Sequence, residues 1–199
     1  MNNRSGNPVL PGTWADPYIF RDGSDYYLYP TKDSDGWMYG KFHVFHSTDL
    51  VSWSEPAVAL DLDTVSWAKS KAWAPSVTKF RGSYYMYFCA EQQIGVARSD
   101  SPTGPFVDVL GRPLISTNEW QCQTIDPDIF IDTDGQPHLM WGQGKCWIVA
   151  LHDDMVTFKG EPVCLSDRLY RQSGKDPSVF DIEVYNEEAH LQKIDGRYG

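Results

Sequence analysis

Asp16 and Asp126 occupy the same place in two near-copies of one phrase, WADPYIFRDG (14–23) and TIDPDIFIDTDG (124–135). Each Asp stands directly before a Pro, then a strand-like run, then a turn. Further along, Glu187 and Glu188 open the stretch EEAHLQK (187–193). Such a set of carboxylates suits one chemistry well. In glycoside hydrolysis a protonated carboxyl gives its proton to the leaving oxygen, and an ionised carboxylate works opposite it. A third carboxylate near the acid raises its pKa by like-charge repulsion and keeps it protonated near neutral pH. The plainer alternative is structural: Asp before Pro often just starts a turn or strand by bonding a nearby backbone N–H.

The elements that must position these acids repeat along the chain. Aligned on Pro, the copies are DPYIFRDGSDYYLY from Asp16, APSVTKFRGSYYMY from Ala74 and DPDIFIDTDGQPHLMW from Asp126. A weaker fourth, EAHLQKIDGRYG, starts at Glu188 and has Ala189 in place of the Pro. The aligned positions 17, 75, 127 and 189 lie 52 to 62 residues apart. Each copy reads as strand, tight turn with Gly (Gly23, Gly82, Gly135, Gly196), then strand, a hairpin signal. A further strand, a polar turn and an aromatic follow in FHVFHSTDLVSW, IGVARSDSPTGPF and CWIVALHDDMVTF, ending at Trp53, Phe106 and Phe158. Helical periodicity is nearly absent; DLDTVSWAKSKAW is the one stretch with room for a helical turn.

Four-strand units at this period predict blades of an all-β propeller, in preference to a sandwich. The expected boundaries are a flexible 1–6, then blades at about 14–60, 68–115 and 120–165, and a partial blade at about 170–199. The second copy has Ala74 where the others have Asp, so the scaffold itself does not need a carboxylate there. Inner strands of neighbouring blades converge on the propeller axis, so Asp16 and Asp126 are expected to face one mouth.

Composition narrows the partners. The 199 residues are 41% hydrophobic and 22% charged, ordinary for a globular domain. A net charge of −10 argues against nucleic acid or an anionic membrane as partner. Eight Trp and eleven Tyr suit sugar rings, which stack on flat apolar faces. The N-terminus MNNRSGNPVLPG lacks the apolar stretch of a signal peptide, and no run approaches the ~18 residues of a membrane span. A cytoplasmic location is expected, or a secreted or periplasmic one if a leader is removed. Cys89, Cys122, Cys146 and Cys164 form no CxxC pair, which argues against zinc; reduced buried thiols are expected over disulfides.

The segments WADPYIF, AWAPSVTKFRGSYYMYF, TIDPDIFIDTDG and EEAHLQK, in that order and spacing, resemble glycoside hydrolase family 43. The family consists of five-bladed propellers acting on arabinan, xylan and related plant polysaccharides. The resemblance spans nearly the whole chain from about Asn7. It implies a fold whose fourth blade is incomplete and whose fifth is missing here, so that self-association or a second chain would complete the ring. It implies Asp16 as general base, Asp126 as the residue that orients the acid and tunes its pKa, and Glu187 as general acid, with Glu188 the runner-up. Family members invert configuration, so acid and base should stand roughly 6.5–9.5 Å apart. Trp73 resembles a wall of the sugar pocket, with blade packing as its other reading; Trp14 and His190 are further binding candidates. The family's acid motif typically has Gly-Pro where this chain has Glu188 and Ala189. A channel His, sometimes beside Ca²⁺, belongs to a part of the family fold outside this sequence, so no metal or cofactor is assigned.

The implied activity is that of an α-L-arabinofuranosidase or β-xylosidase. Two rivals stand beside it: a non-catalytic carbohydrate-binding propeller, and a β-fructosidase-like hydrolase. The latter normally carries Arg-Asp-Pro and Glu-Cys, where this chain has Ile125-Asp126-Pro127 and Glu187-Glu188.

Overall fold

Three antiparallel sheets of four strands each follow one another along the chain, each in simple sequential order. The computed structural model describes residues 8–167 (backbone alone at Asp35), together with the backbone of 193–194 and 197–198. The first sheet comprises β1 (Trp14–Asp22), β2 (Asp25–Lys32), β3 (Lys41–Ser47) and β4 (Ala57–Asp61). The second comprises β5 (Trp73–Phe80), β6 (Ser83–Ala90), β7 (Gln93–Ser99) and β8 (Val107–Asp108). The third comprises β9 (Asp128–Ile131), β10 (Pro137–Trp141), β11 (Trp147–Ala150) and β12 (Val163–Cys164). A two-stranded pair, β13 (Lys193–Ile194) with β14 (Arg197–Tyr198), comes last. These are blades of a β-propeller. The stretch between the first two blades holds a single 3₁₀ turn, Leu62–Thr64, capped by the Asp61 carboxylate accepting from the Asp63 N–H.

The sequence SYYMYFCA of β6 shows how the blades stack. A strand's side chains alternate between faces. Tyr84, Met86, Phe88 and Ala90 belong to a core shared with Tyr29, Phe42, Val44 and Leu60 of the first blade. Tyr87, with Tyr85 at its edge, belongs to a second core with Ile129, Leu139, Trp141 and Val149 of the third. Both faces of the middle blade are covered, so its strands read as nearly continuous apolar runs. Arg81 (φ 49°) and Gly82 (φ 87°) close the β5–β6 hairpin with two left-handed residues, the turn whose twist matches paired strands.

Blades are also latched at equivalent positions. The buried Tyr29 hydroxyl donates to the Pro102 carbonyl at 2.5 Å, reaching from the first blade to the second. Tyr87, its counterpart in the repeat, donates to the Met155 carbonyl at 2.6 Å, reaching from the second to the third. Both phenols have pKa values pushed up, first by burial, so they stay neutral donors.

The residues immediately after the three prolines, Tyr18, Ser76 and Asp128, sit at corresponding inner-strand positions. Ser76 Oγ donates to Asp128 Oδ1 at 2.9 Å and accepts from the Ile129 N–H at 3.1 Å. Ser76 is 2% and Asp128 5% exposed. Burial, then the Asp128 charge, push the Tyr18 phenol up to about 12. Removing one partner from a buried pair costs the desolvation of the group left behind. Ser76→Ala is therefore expected to destabilise the protein by about 2 kcal/mol, because it removes the hydroxyl that bonds both the buried Asp128 carboxylate and the Ile129 N–H. Urea unfolding measures this; a loss below about 0.5 kcal/mol, the low end for a typical hydrogen bond, would show that Ser76 does not hold the blades together.

Candidate active site

The residue before each inner-strand proline has a left-handed backbone: φ is 45° at Asp16, 40° at Ala74 and 53° at Asp126. Residues with a Cβ avoid this region, and a following proline favours extended backbone. Three near-equal values at equivalent positions are a repeated device of the fold. In the first two blades the strand register slips at this point, between Ala15 and Tyr18 and between Trp73 and Ser76. Such a bulge re-aims a side chain next to a site. Thr31, buried in the first blade, pins the second bulge by accepting from the Ala74 N–H at 2.7 Å.

Asp16 and Asp126 line one cavity of about 510 Å³, with Ala15, Thr31, Asp33, Trp37, Trp73, Gln92, Gln123, Ile125 and Gln143. The size fits a small ligand. All three blades contribute. Four of the lining residues, Asp16, Asp126, Trp37 (φ 66°) and Gln92 (φ 60°), have left-handed backbones. Each such residue costs of order 1–3 kcal/mol, and strain of this kind collects at functional sites. On the third blade, Gln123 and Gln143 exchange backbone hydrogen bonds at 3.2 and 3.1 Å, and the Gly142 N–H donates to the Ile125 carbonyl at 2.9 Å, bracing the segment before Asp126. Gly142 (φ 115°) must be glycine, since a Cβ would lie 2.2 Å from the Lys145 carbonyl oxygen.

Of the residues singled out from the sequence, the structure brings Asp16, Asp126 and Trp73 to this cavity. Trp73 is fixed by its indole N–H, which donates to the Trp37 carbonyl at 3.0 Å. Trp14 is not part of the lining. Its ring meets Phe45 and His43 edge-on, carries Lys32 Nζ 4.2 Å from its centroid, and donates to the Pro11 carbonyl at 2.9 Å. It packs with Leu10 and Leu28 on the opposite side of the first blade from the shared core. Glu187, Glu188 and His190 lie outside the described residues. Asp33, Trp37, Gln92, Gln123 and Gln143 were not foreseen. The signal for Trp37 was an aromatic in the turn-forming DSDGWMYG, where no strand needs it; the glutamines carried none. Among the described residues, no three His, Cys, Asp or Glu side chains are grouped to hold a metal ion.

Comparison with known proteins adds a second line of observation. Residues 5–198 match the family described as Glycosyl hydrolases family 43. The chain is 36% identical over 175 residues to a protein named beta-D-galactofuranosidase xynD from Aspergillus niger, covering 80% of this chain and 52% of the relative. It is 31% identical over 146 residues to xylosidase/arabinosidase 43A of Humicola insolens, covering 64% and 43%. Among solved structures, an alpha-L-arabinofuranosidase from Clostridium thermocellum superposes with a TM-score of 0.73 at 28% identity, over 92% of this chain and 61% of that one. The chain thus spans about half the length of these two named relatives.

Cys89 stands behind the site. Its thiol faces the Thr124 carbonyl at 3.9 Å, and burial, then the negative charge of Asp126, push its pKa up. The thiolate is the reactive form. Ellman's reagent applied to the native protein at pH 8 is expected to leave Cys89 unmodified, and to modify it on unfolding in urea. Rapid native labelling, located by mass spectrometry, would show that the wall behind Asp126 opens.

Proposed function

The chain belongs to glycoside hydrolase family 43, and from that premise we propose that the protein hydrolyses O-glycosidic bonds of arabinose- or xylose-containing oligosaccharides or polysaccharides with inversion, as an α-L-arabinofuranosidase or β-xylosidase. The observation that carries the reading is the shared cavity of Asp16 and Asp126, beside Trp73. Ala74, their counterpart in the second blade, is absent from that lining. Carboxylates thus face the cavity from two blades, and in the blade between them an indole does.

Each group then has a distinct task. The sugar to be released lies along the Trp73 face, where its apolar C–H groups displace water. Asp16, ionised, accepts a proton from the water that attacks the anomeric carbon. Glu187 donates its proton to the glycosidic oxygen as the bond to the leaving group breaks. Asp126 orients that acid, and its negative charge discourages early ionisation of the acid by like-charge repulsion. Bond making and bond breaking on opposite faces invert the anomeric centre. The names of the relatives support a pentose or furanose ring in the cavity: xylosidase/arabinosidase in Humicola insolens, arabinofuranosidase in Clostridium thermocellum and galactofuranosidase in Aspergillus niger.

Two substitutions separate the roles. General acid–base assistance contributes about 10²–10⁴-fold to rate. Asp16→Asn is expected to lose about that much on every substrate, since all need activated water. Glu187→Gln is expected to lose as much on oligosaccharides but far less on 2,4-dinitrophenyl glycosides, whose leaving group needs little protonation. Aryl arabinofuranosides, xylosides and galactofuranosides read the substrate; proton NMR of the first-formed anomer reads the stereochemistry. Retention of configuration, or sugar binding without turnover of any of these, would overturn the reading.

A further inference from the structure

Trp37 is 62% exposed, yet its backbone is left-handed. It lies between β2 and β3 in a short 3₁₀ turn, Asp35–Trp37, with Gly36 at φ 62° and Trp37 itself at φ 66°. A left-handed backbone is common for Gly and a genuine outlier for a residue as bulky as Trp. Core packing does not explain this arrangement, because the indole is not buried. The turn is held from both sides: the Trp37 N–H donates to the Ser34 carbonyl at 2.9 Å, and the Trp37 carbonyl accepts the Trp73 indole N–H at 3.0 Å. An exposed aromatic with a strained backbone, fixed to the cavity wall and lining the same cavity as the two carboxylates, is placed to touch something that arrives from solvent.

We propose that Trp37 is a stacking platform for the leaving-group sugar, the unit joined through the scissile bond to the one held beside Asp16, Asp126 and Trp73. The inference rests on the hydrolase reading above and adds a specificity-determining residue to it. The scissile bond joins the enclosed sugar to its neighbour at the mouth, and Trp37 is the exposed aromatic of the lining. An indole offers a flat, rigid apolar face to the C–H face of a sugar ring at low conformational-entropy cost. The Trp73 indole N–H to Trp37 carbonyl bond ties the backbone that carries the platform to the wall. Trp73 therefore bears on the enclosed sugar directly and on the leaving sugar through Trp37. The platform selects oligosaccharides with a ring on the leaving side over small leaving groups.

The test compares a pentose disaccharide with the glycosyl fluoride of the same pentose, whose leaving group has no ring to stack. With the intact protein, Trp37→Ala is expected to lower kcat/KM on the disaccharide about tenfold more than on the fluoride, the scale of one aromatic contact. Trp37→Phe, which keeps a flat ring, is expected to recover most of that ratio. Equal losses on both substrates, or no loss on either, would overturn the platform. If the wild-type protein cleaves neither, the hydrolase reading itself has failed, and calorimetric binding of xylotriose or arabinotriose then decides the platform separately. Trp37→Ala is expected to weaken the trisaccharide about tenfold relative to the monosaccharide. Unchanged relative affinity, or no binding of either sugar by the wild type, would overturn it.

Discussion

The buried hydrogen bond from Ser76 Oγ to Asp128 Oδ1 ties the second blade to the third at the propeller axis. Asp128 lies two residues beyond Asp126, and Ser76 two beyond Ala74. Any rotation of one blade against the other at this point would carry Asp126 away from Asp16. The apolar cores between blades are large but non-directional, and they would tolerate some sliding. The polar contact does not: a hydrogen bond to a buried carboxylate is directional and costly to lose, so the register with Ser76 is strongly preferred. Thr31 does the corresponding task between the first and second blades through the Ala74 N–H. The positions of the cavity carboxylates thus descend from two short side chains, Ser76 between the second and third blades and Thr31 between the first and second.

A single backbone device then serves two purposes. The left-handed residue before proline points the Asp16 and Asp126 side chains to the cavity, while the residues after the proline, Tyr18, Ser76 and Asp128, meet one another between the blades. Where the cavity needs a carboxylate, the position is Asp; where it does not, Ala74 accepts the same strained backbone with no polar group. The fold requires the bulge, and chemistry chooses the side chain on it. The same division holds for the tyrosine latches, where Tyr29 and Tyr87 repeat a contact that serves blade stacking and has no part in the cavity.

The cavity itself is asymmetric in a useful way. Trp73 belongs to a strand that places Val77 in one core and Phe80 against the other, whereas Trp37 rides on a loop fixed mainly by hydrogen bonds. A wall on a strand holds one ring in one place. A platform on a loop can differ in length and chemistry from one relative to the next without disturbing the blades, because loops tolerate change that packed strands do not.

Much of the architecture was legible in the sequence because it is repetitive. The period, the turn glycines, the Pro-aligned inner strands and the Asp/Ala contrast at positions 16, 74 and 126 are all local patterns, and local patterns survive in one dimension. The inner-strand alternation even placed Tyr18, Ser76 and Asp128 at one repeat position, although their meeting was not foreseen. The rest depended on contacts between segments far apart in the chain. Trp14 lies two residues from Asp16, and strand alternation alone would put both on one face, but the bulge between Ala15 and Tyr18 separates them: Asp16 lines the cavity, whereas Trp14 packs on Phe45 and His43. Gln92, Gln123 and Gln143 carry no motif; they reach the cavity because a hairpin turn and a two-residue bridge end there. Trp37 was an unremarked aromatic in a loop until the Trp73 indole N–H bonded its carbonyl. The sequence by itself determined which side chains repeat and which carboxylates the repeat does not need. Tertiary structure decided which of them share a cavity, because convergence is set by the stacking of whole blades.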